Sequence, residues 1–172
     1  IDILSVEEQA LLHSAASSSA ELPAFGIIFT LSTGVRLGEL IGFQWGDINV
    51  KSHSIRVRRT VGRLQKVDED GNLVAKESGK ATTEIVIRSP KSITSQREIP
   101  LFDELWDGLM AYRSRQSEMF DAFGIDFNSS THIFCMPTGK VYDPRTYEDL
   151  FKRTLKAADL PGINFHALRH TF

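Results

Sequence analysis

Residues able to do chemistry are few in this chain, and they gather at three places. The first is Ser32-Thr33-Gly34-Val35-Arg36-Leu37-Gly38-Glu39-Leu40, where an apolar stretch breaks at a glycine and restarts with an arginine. Arg36 has no other basic residue around it between Ile1 and Val50, so it belongs to no general basic surface. Gly34 lets the backbone turn sharply, and Glu39 follows Arg36 at the i,i+3 spacing of neighbours on a helix. Two readings stay open from these residues alone: a surface ion pair, or a guanidinium held as an anion clamp with Glu39 orienting it. The second place is His166-Ala167-Leu168-Arg169-His170, which sets His166 and Arg169 on one helical face near a helix start, where an anion is favoured. His166 and His170 are spaced as some metal ligands are. A divalent ion there would be repelled by the adjacent Arg169 and would find no further ligands nearby, so no metal is expected. The third place is the polar turn Ser89-Pro90-Lys91-Ser92-Ile93-Thr94-Ser95, which offers one lysine.

Two arginines, a histidine and a lysine all act on anions. Two guanidiniums can grip the non-bridging oxygens of a phosphate and stabilise the added charge of a pentacoordinate transition state, while a lysine or histidine moves a proton. The sequence contains no G-x-S-x-G nucleophile elbow and no glycine-rich phosphate loop, so serine hydrolases and nucleotide-binding enzymes drop out. Phosphoryl transfer on a nucleic acid is the economical chemistry.

The elements that must position these groups are mostly helical. Ser5-Val6-Glu7-Glu8 is a capping box opening a helix to about Ala16, with Leu11, Leu12 and Ala15 on its apolar side. Pro23 opens a second helix through Phe25, Ile27, Ile28 and Leu31 that is apolar nearly all round and therefore central. A third, short helix is predicted over about Leu37 to Phe43, ahead of a turn anchored by Trp45. From Ser54 the period changes to two, with Ile55, Val57 and Val61 on one side and Arg56, Arg58 and Arg59 presented as a cationic face. Gly62 to Lys80 reads as an extra hairpin or a mobile loop, Thr83 to Arg88 as a second strand and Gln96 to Leu101 as a third. Helices follow from Asp103 to about Phe120 and from Asp143-Pro144 through Leu155, with a last one carrying His166 and Arg169. Cys135 is expected to be a buried residue of an extended piece. The expected fold class is mixed α+β, mainly α-helical, with a small antiparallel three-stranded sheet.

Length and composition agree with one domain over 1–172: 41% hydrophobic residues suffice for a core, and 24% charged residues argue against disorder. The single cysteine excludes an internal disulfide, no apolar run approaches a membrane span, and the start has no signal-like segment. A cytoplasmic protein without membrane contact is expected. The net charge of −2 is unevenly spread: residues 51–100 carry 11 basic and 6 acidic groups, whereas residues 1–50 carry 1 and 6. Such segregation lets one face meet a polyanion. Arg56, Arg58, Arg59 and Arg63 are the expected phosphate contacts, with a steep salt dependence.

Three blocks, Thr33 to Leu40, Pro90-Lys91-Ser92 leading to Arg97-Glu98-Ile99-Pro100-Leu101, and Phe165 to Phe172, closely resemble the catalytic domain of tyrosine recombinases, the phage integrase family. The resemblance covers nearly the whole chain, with the motifs in the right order. It implies that Arg36 and Arg169 clamp the scissile phosphate, that Glu39 supports Arg36, and that Lys91 protonates the leaving 5′-oxygen. It also implies that His166 assists proton transfer and that His170 packs in support. In such enzymes a tyrosine forms a 3′-phosphotyrosyl link without cofactor or metal, acting on double-stranded DNA within a synaptic tetramer of recombinase protomers. The family's nucleophile lies beyond the His-x-x-Arg motif, whereas Tyr112, Tyr142 and Tyr147 precede it and are expected to be core or surface aromatics. The chain is therefore expected to be a catalytic domain that lacks the N-terminal DNA-clamping domain and the tyrosine, to be monomeric alone, and to bind DNA without cleaving it. The alternatives are a type IB topoisomerase-like enzyme and a non-catalytic DNA-binding remnant of an integrase.

Overall fold

The longest uncharged stretch of the chain becomes its central helix. In the computed structural model, which describes residues 3–74, 81–89 and 96–171, helix α1 spans Val6–Ser17 and α2 spans Phe25–Thr33. Ile27, Ile28, Phe29 and Thr30 of α2 are buried, each large apolar side chain contributing about 1.5–3 kcal/mol. Pro23 does open this region, through a short 3-10 turn, Leu22–Ala24. Against α2 pack α1, the long α4 (Asp103–Ala122) and the terminal α6 (Ala167–Thr171), while α5 (Pro144–Ala157) packs on α1.

The helix starts follow their local chemistry. Ser5 Oγ accepts from the Glu8 amide at 3.2 Å and the Ser5 amide donates to Glu8 Oε2 at 2.8 Å, closing the capping box. Asp143 accepts from the Arg145 amide at 3.0 Å with Pro144 in the first helical position. The amide of Leu4 donates to Thr171 Oγ1 at 3.4 Å, so the first and last described turns meet. On α1, Leu12 and Ala16 are buried but Leu11 is exposed, so the predicted apolar side is narrower than expected.

The sheet differs from expectation. Helix α3 (Leu37–Leu40) is shorter than predicted, because the Gly42 and Phe43 amides donate to Glu39 and Leu40 and tighten the chain into a turn. Then come β1 (Ile48–Asn49), β2 (Ser54–Arg56), β3 (Thr60–Gln65), β4 (Thr83–Arg88) and β5 (Glu98–Pro100). A three-stranded antiparallel sheet exists in the order β1-β2-β5, but Thr83–Arg88 is not in it; that strand pairs with β3 in a separate two-stranded ribbon, Thr60 opposite Arg88 and Gln65 opposite Thr83. The predicted strand from Ser54 thus splits at Val57–Arg59. The reason lies at Arg59, whose guanidinium donates to the Gly42 carbonyl at 3.1 Å and to Asp47 at 2.5 Å, pulling the chain out of the first ladder and onto α3. Of the segment Gly62 to Lys80, expected to be an extra hairpin or a mobile loop, Gly62 to Gln65 continue β3 and Val67 bridges Leu73 around Asp68 and Gly71, as a hairpin would; residues 75–80 lie outside the described residues.

The extended segment before Cys135 lies on α4 through a satisfied polar knot. Gln116 accepts from the Trp45 indole at 2.8 Å and donates to the Ile133 carbonyl at 2.9 Å, and Tyr112 donates to the same carbonyl at 2.7 Å. Cys135 is buried there.

Candidate active site

Gly34 ends α2 in the left-handed region (φ 64°), its amide donating to Thr30 at 2.8 Å. Val35 is then buried and Arg36 extended, so the chain leaves the core and immediately presents a guanidinium. Gly38 is needed for this placement, since a Cβ there would lie 2.5 Å from both Thr60 Oγ1 and the Val61 carbonyl; α3 sits directly on β3.

Glu39 is the hub of the turn. Its Oε2 accepts from the Arg36 amide at 2.9 Å and its Oε1 from Arg36 Nη1 at 3.2 Å, while Arg97 holds the same carboxylate with Nη1 at 3.0 Å and Nη2 at 2.9 Å. The Glu39 side chain is 6% exposed and that of Arg36 55%. Burial alone would push the Glu39 carboxyl up, but the Arg97 hydrogen bonds, the Arg36 amide and the two guanidinium charges outweigh it and hold the group below its ordinary range. Arg36 is ion-paired with Glu39, and its side chain is held from one side while remaining more than half exposed. Arg97 is the residue that sequence reading passed over. Its position in the Arg-Glu-Ile-Pro-Leu block was visible, but its partner lies 58 residues away.

The second block is at the other end of the chain. His166 is exposed and directly precedes α6, and the Arg169 amide donates to its carbonyl at 3.1 Å, so the two residues face the same side of one turn. The His166 and His170 rings meet edge to face at 4.9 Å. Arg169 is half-buried, and its Nη1 is buried without a hydrogen-bond partner among the described residues. A buried, unpaired guanidinium nitrogen is costly unless an anion completes it. The packing of α6 on α2 carries this arginine to the helix that leads into Arg36. Lys91 lies outside the described residues.

The four arginines expected on DNA divide. Arg56 and Arg58 are half-exposed, with longer ion pairs to Glu98 (3.5 Å) and Asp47 (3.6 Å). Arg59 is 20% exposed and Arg63 22%, Arg59 tied to Asp47 and Gly42 and Arg63 to Asp143 and Thr83. Both guanidiniums are thus engaged by acids of the protein itself. Beside Asp47, His132 Nε2 is buried without a partner among the described residues, and burial, then the charge of Arg59, lowers that imidazole's pKa against the opposing pull of Asp47.

The tyrosines sit in the core. Tyr147 donates to the Pro23 carbonyl at 2.8 Å, and burial raises the phenols of Tyr112 and Tyr147 well above their ordinary value and that of Tyr142 to about 12. They are packing residues, as expected. Among the described residues no cluster of His, Cys, Asp and Glu could hold a metal ion, and no helix is long and apolar enough to cross a membrane.

Known proteins resemble this chain in family and fold. The model of the phage integrase family matches residues 3–172. A tyrosine recombinase XerC-like protein of Caldanaerobacter subterraneus subsp. tengcongensis is 31% identical over 148 residues, 84% of this chain and 36% of the relative. The ICEBs1 integrase of Bacillus subtilis is 28% identical over 143 residues, 81% of this chain and 33% of its own. Among solved structures, the Tn1549 transposon integrase in complex with transposon right end DNA matches with a TM-score of 0.72 at 20% identity, over 100% of this chain and 51% of that one. XerA recombinase matches with a TM-score of 0.65 at 22% identity, over 100% and 48%. At such identities the structures establish the fold. The chain spans about a third of the length of these two curated relatives.

Proposed function

The chain belongs to the phage integrase family, and from that premise we propose that it is the catalytic domain of a site-specific tyrosine recombinase. Arg36 and Arg169 grip the non-bridging oxygens of the scissile phosphate and stabilise the charge that builds when a tyrosine attacks it to form a 3′-phosphotyrosyl link. Lys91 protonates the leaving 5′-oxygen, and His166 moves the proton at the nucleophile. Exchange of strands between two sites follows within a synaptic tetramer of protomers on double-stranded DNA, in the cytoplasm. No cofactor or metal takes part in this scheme.

The observation that carries the reading is Arg36: its backbone and one side-chain nitrogen are fixed by a buried carboxylate while the side chain stays 55% exposed. A fixed outward cation costs no reorganisation at the moment of reaction. Arg169, whose Nη1 is buried without an acceptor among the described residues, supports the same assignment. Arg56 and Arg58 are the backbone contacts we retain, their side chains being 53% and 52% exposed.

Single-turnover cleavage of a nicked DNA substrate by the complete gene product tests the proposal, with the covalent protein–DNA species as readout. Arg36→Ala and Arg169→Ala are each expected to lower the rate by roughly a thousandfold while the protein stays folded. Unchanged cleavage in either variant would overturn the assignment. Recombination between paired sites, rather than relaxation of a supercoiled plasmid, is the expected net reaction and sets this enzyme apart from a type IB topoisomerase.

A further inference from the structure

Arg97 stands where two parts of the proposed site join. Its carbonyl accepts from the Val57 amide at 2.8 Å, extending the β2–β5 ladder by one rung, so its backbone belongs to the sheet. Its guanidinium leaves the sheet and takes both oxygens of Glu39, at 3.0 and 2.9 Å. Arg36 reaches the same carboxylate with its amide and only one guanidinium nitrogen. One buried negative charge therefore faces two positive ones, and the more tightly held of the two is the one less exposed, Arg97 at 33% against Arg36 at 55%.

We infer that Arg97 is a positioning residue for the proposed recombinase chemistry: it engages the Glu39 carboxylate so that Glu39 orients Arg36 without cancelling its charge, and it ties the Arg36 turn to the strand that follows Lys91. The physical case is one of balance. A lone buried carboxylate beside Arg36 would fix the guanidinium but leave the pair neutral, and a neutral pair stabilises a phosphate transition state poorly. With Arg97 present, the three groups sum to one positive charge, and the outward part of it is Arg36. A planar two-point grip is something arginine does and lysine does not. The link also has a mechanical side. Arg97 directly precedes β5 while Glu39 lies in α3, so the ion pair fixes α3 against the end of that strand.

This inference rests on the reading of Arg36 given above, and the test separates the two. In single-turnover cleavage by the complete gene product, Arg97→Ala is expected to lose about 10–100-fold in rate, with DNA affinity changed by less than about threefold. Adding Glu39→Gln to that variant is expected to restore part of the rate, although Glu39→Gln alone slows the enzyme, because the neutral amide no longer offsets Arg36. Arg97→Gln, which keeps hydrogen-bond donors but no charge, is expected to behave as Arg97→Ala does; it also serves should the alanine variant fail to fold. Near-normal cleavage by Arg97→Gln, or a double variant as slow as the two single losses multiplied, overturns the inference and leaves Arg97 a structural ion pair. Arg36→Ala measured alongside gives the distinction: if it cleaves normally the reading of the site fails, and if it is inactive while the double variant shows no recovery, only the role of Arg97 fails.

Discussion

Two buried carboxylates in this protein are built almost alike and end up serving different purposes. Glu39 accepts the amide of Arg36, three residues earlier, at 2.9 Å, and Asp47 accepts the amide of Gln44, again three residues earlier, at 2.8 Å. Each then takes two guanidiniums: Arg36 and Arg97 at Glu39, Arg58 and Arg59 at Asp47. The difference is where the arginines come from. At Glu39 one guanidinium belongs to the carboxylate's own turn and the other arrives from a strand behind it, so the first is pushed outward. At Asp47 both arrive from the link between β2 and β3; Arg59, drawn in to 20% exposure, also caps the Gly42 carbonyl, and Arg58 only leans on the acid at 3.6 Å. A carboxylate with two arginines can thus present a cation or bury one, and the direction of approach decides which.

That contrast can be broken most forcefully by exchanging losses. Arg36→Ala should cost roughly a thousandfold in covalent cleavage with little loss of stability, while Arg59→Ala should keep cleavage within about tenfold and lower the melting temperature. The reverse pattern would erase the distinction. Next in size is Asp47→Ala, which strands Arg59 with only the Gly42 carbonyl. It should destabilise the fold by about 3 kcal/mol, a drop of roughly 6–12 °C for a chain of this size, as measured by calorimetry.

Glu39 has an acid signature that can be isolated. Its carboxyl is held below the ordinary value of 4.5 in the folded protein, so the stabilisation it gives is present above about pH 4.5 and is lost as pH falls through the lower, folded value. Denaturant titrations between pH 5 and 3 should therefore show a shallower loss of stability in Glu39→Gln than in the parent chain; parallel curves would remove Glu39 from the acid response. The smallest expected effect concerns the arginine that only leans. Arg58→Gln should leave melting almost unchanged and reduce the slope of log affinity for DNA against log salt by about one, whereas Arg59→Gln should leave that slope alone.

Much of this was legible in the sequence wherever the cause is local. The capping box at Ser5, the Asp143-Pro144 helix start, the break at Gly34 and the Arg36–Glu39 spacing all depend on residues within a turn of one another. The strand from Ser54 was legible in its period and not in its partners. Alternation of Ile55, Val57 and Val61 tells which side is buried, and all three are, but it cannot tell that Arg59 turns the chain between them. The arginines show the same limit. Arg59 and Arg63 look as free as Arg56 on the page because their acids, Asp47 and Asp143, lie 12 and 80 residues away. Arg97 escaped notice for the same reason. Charge is written in the sequence, and pairing is written in the fold.

The hydrogen bond from the Leu4 amide to Thr171 bears on how the domain can be handled as a unit. The first and last described turns are adjacent, so a short linker could join them and the ring be reopened elsewhere. Gly124 is a suitable opening: it is exposed, follows the end of α4, and has open space where a side chain would be. A permuted chain of this kind would bring the Arg169 turn ahead of the Arg36 turn, with only the linker, α1 and α2 between them in place of the sheet, α4 and α5. The two proposed halves of the phosphate grip, distant in the natural order, are neighbours in topology.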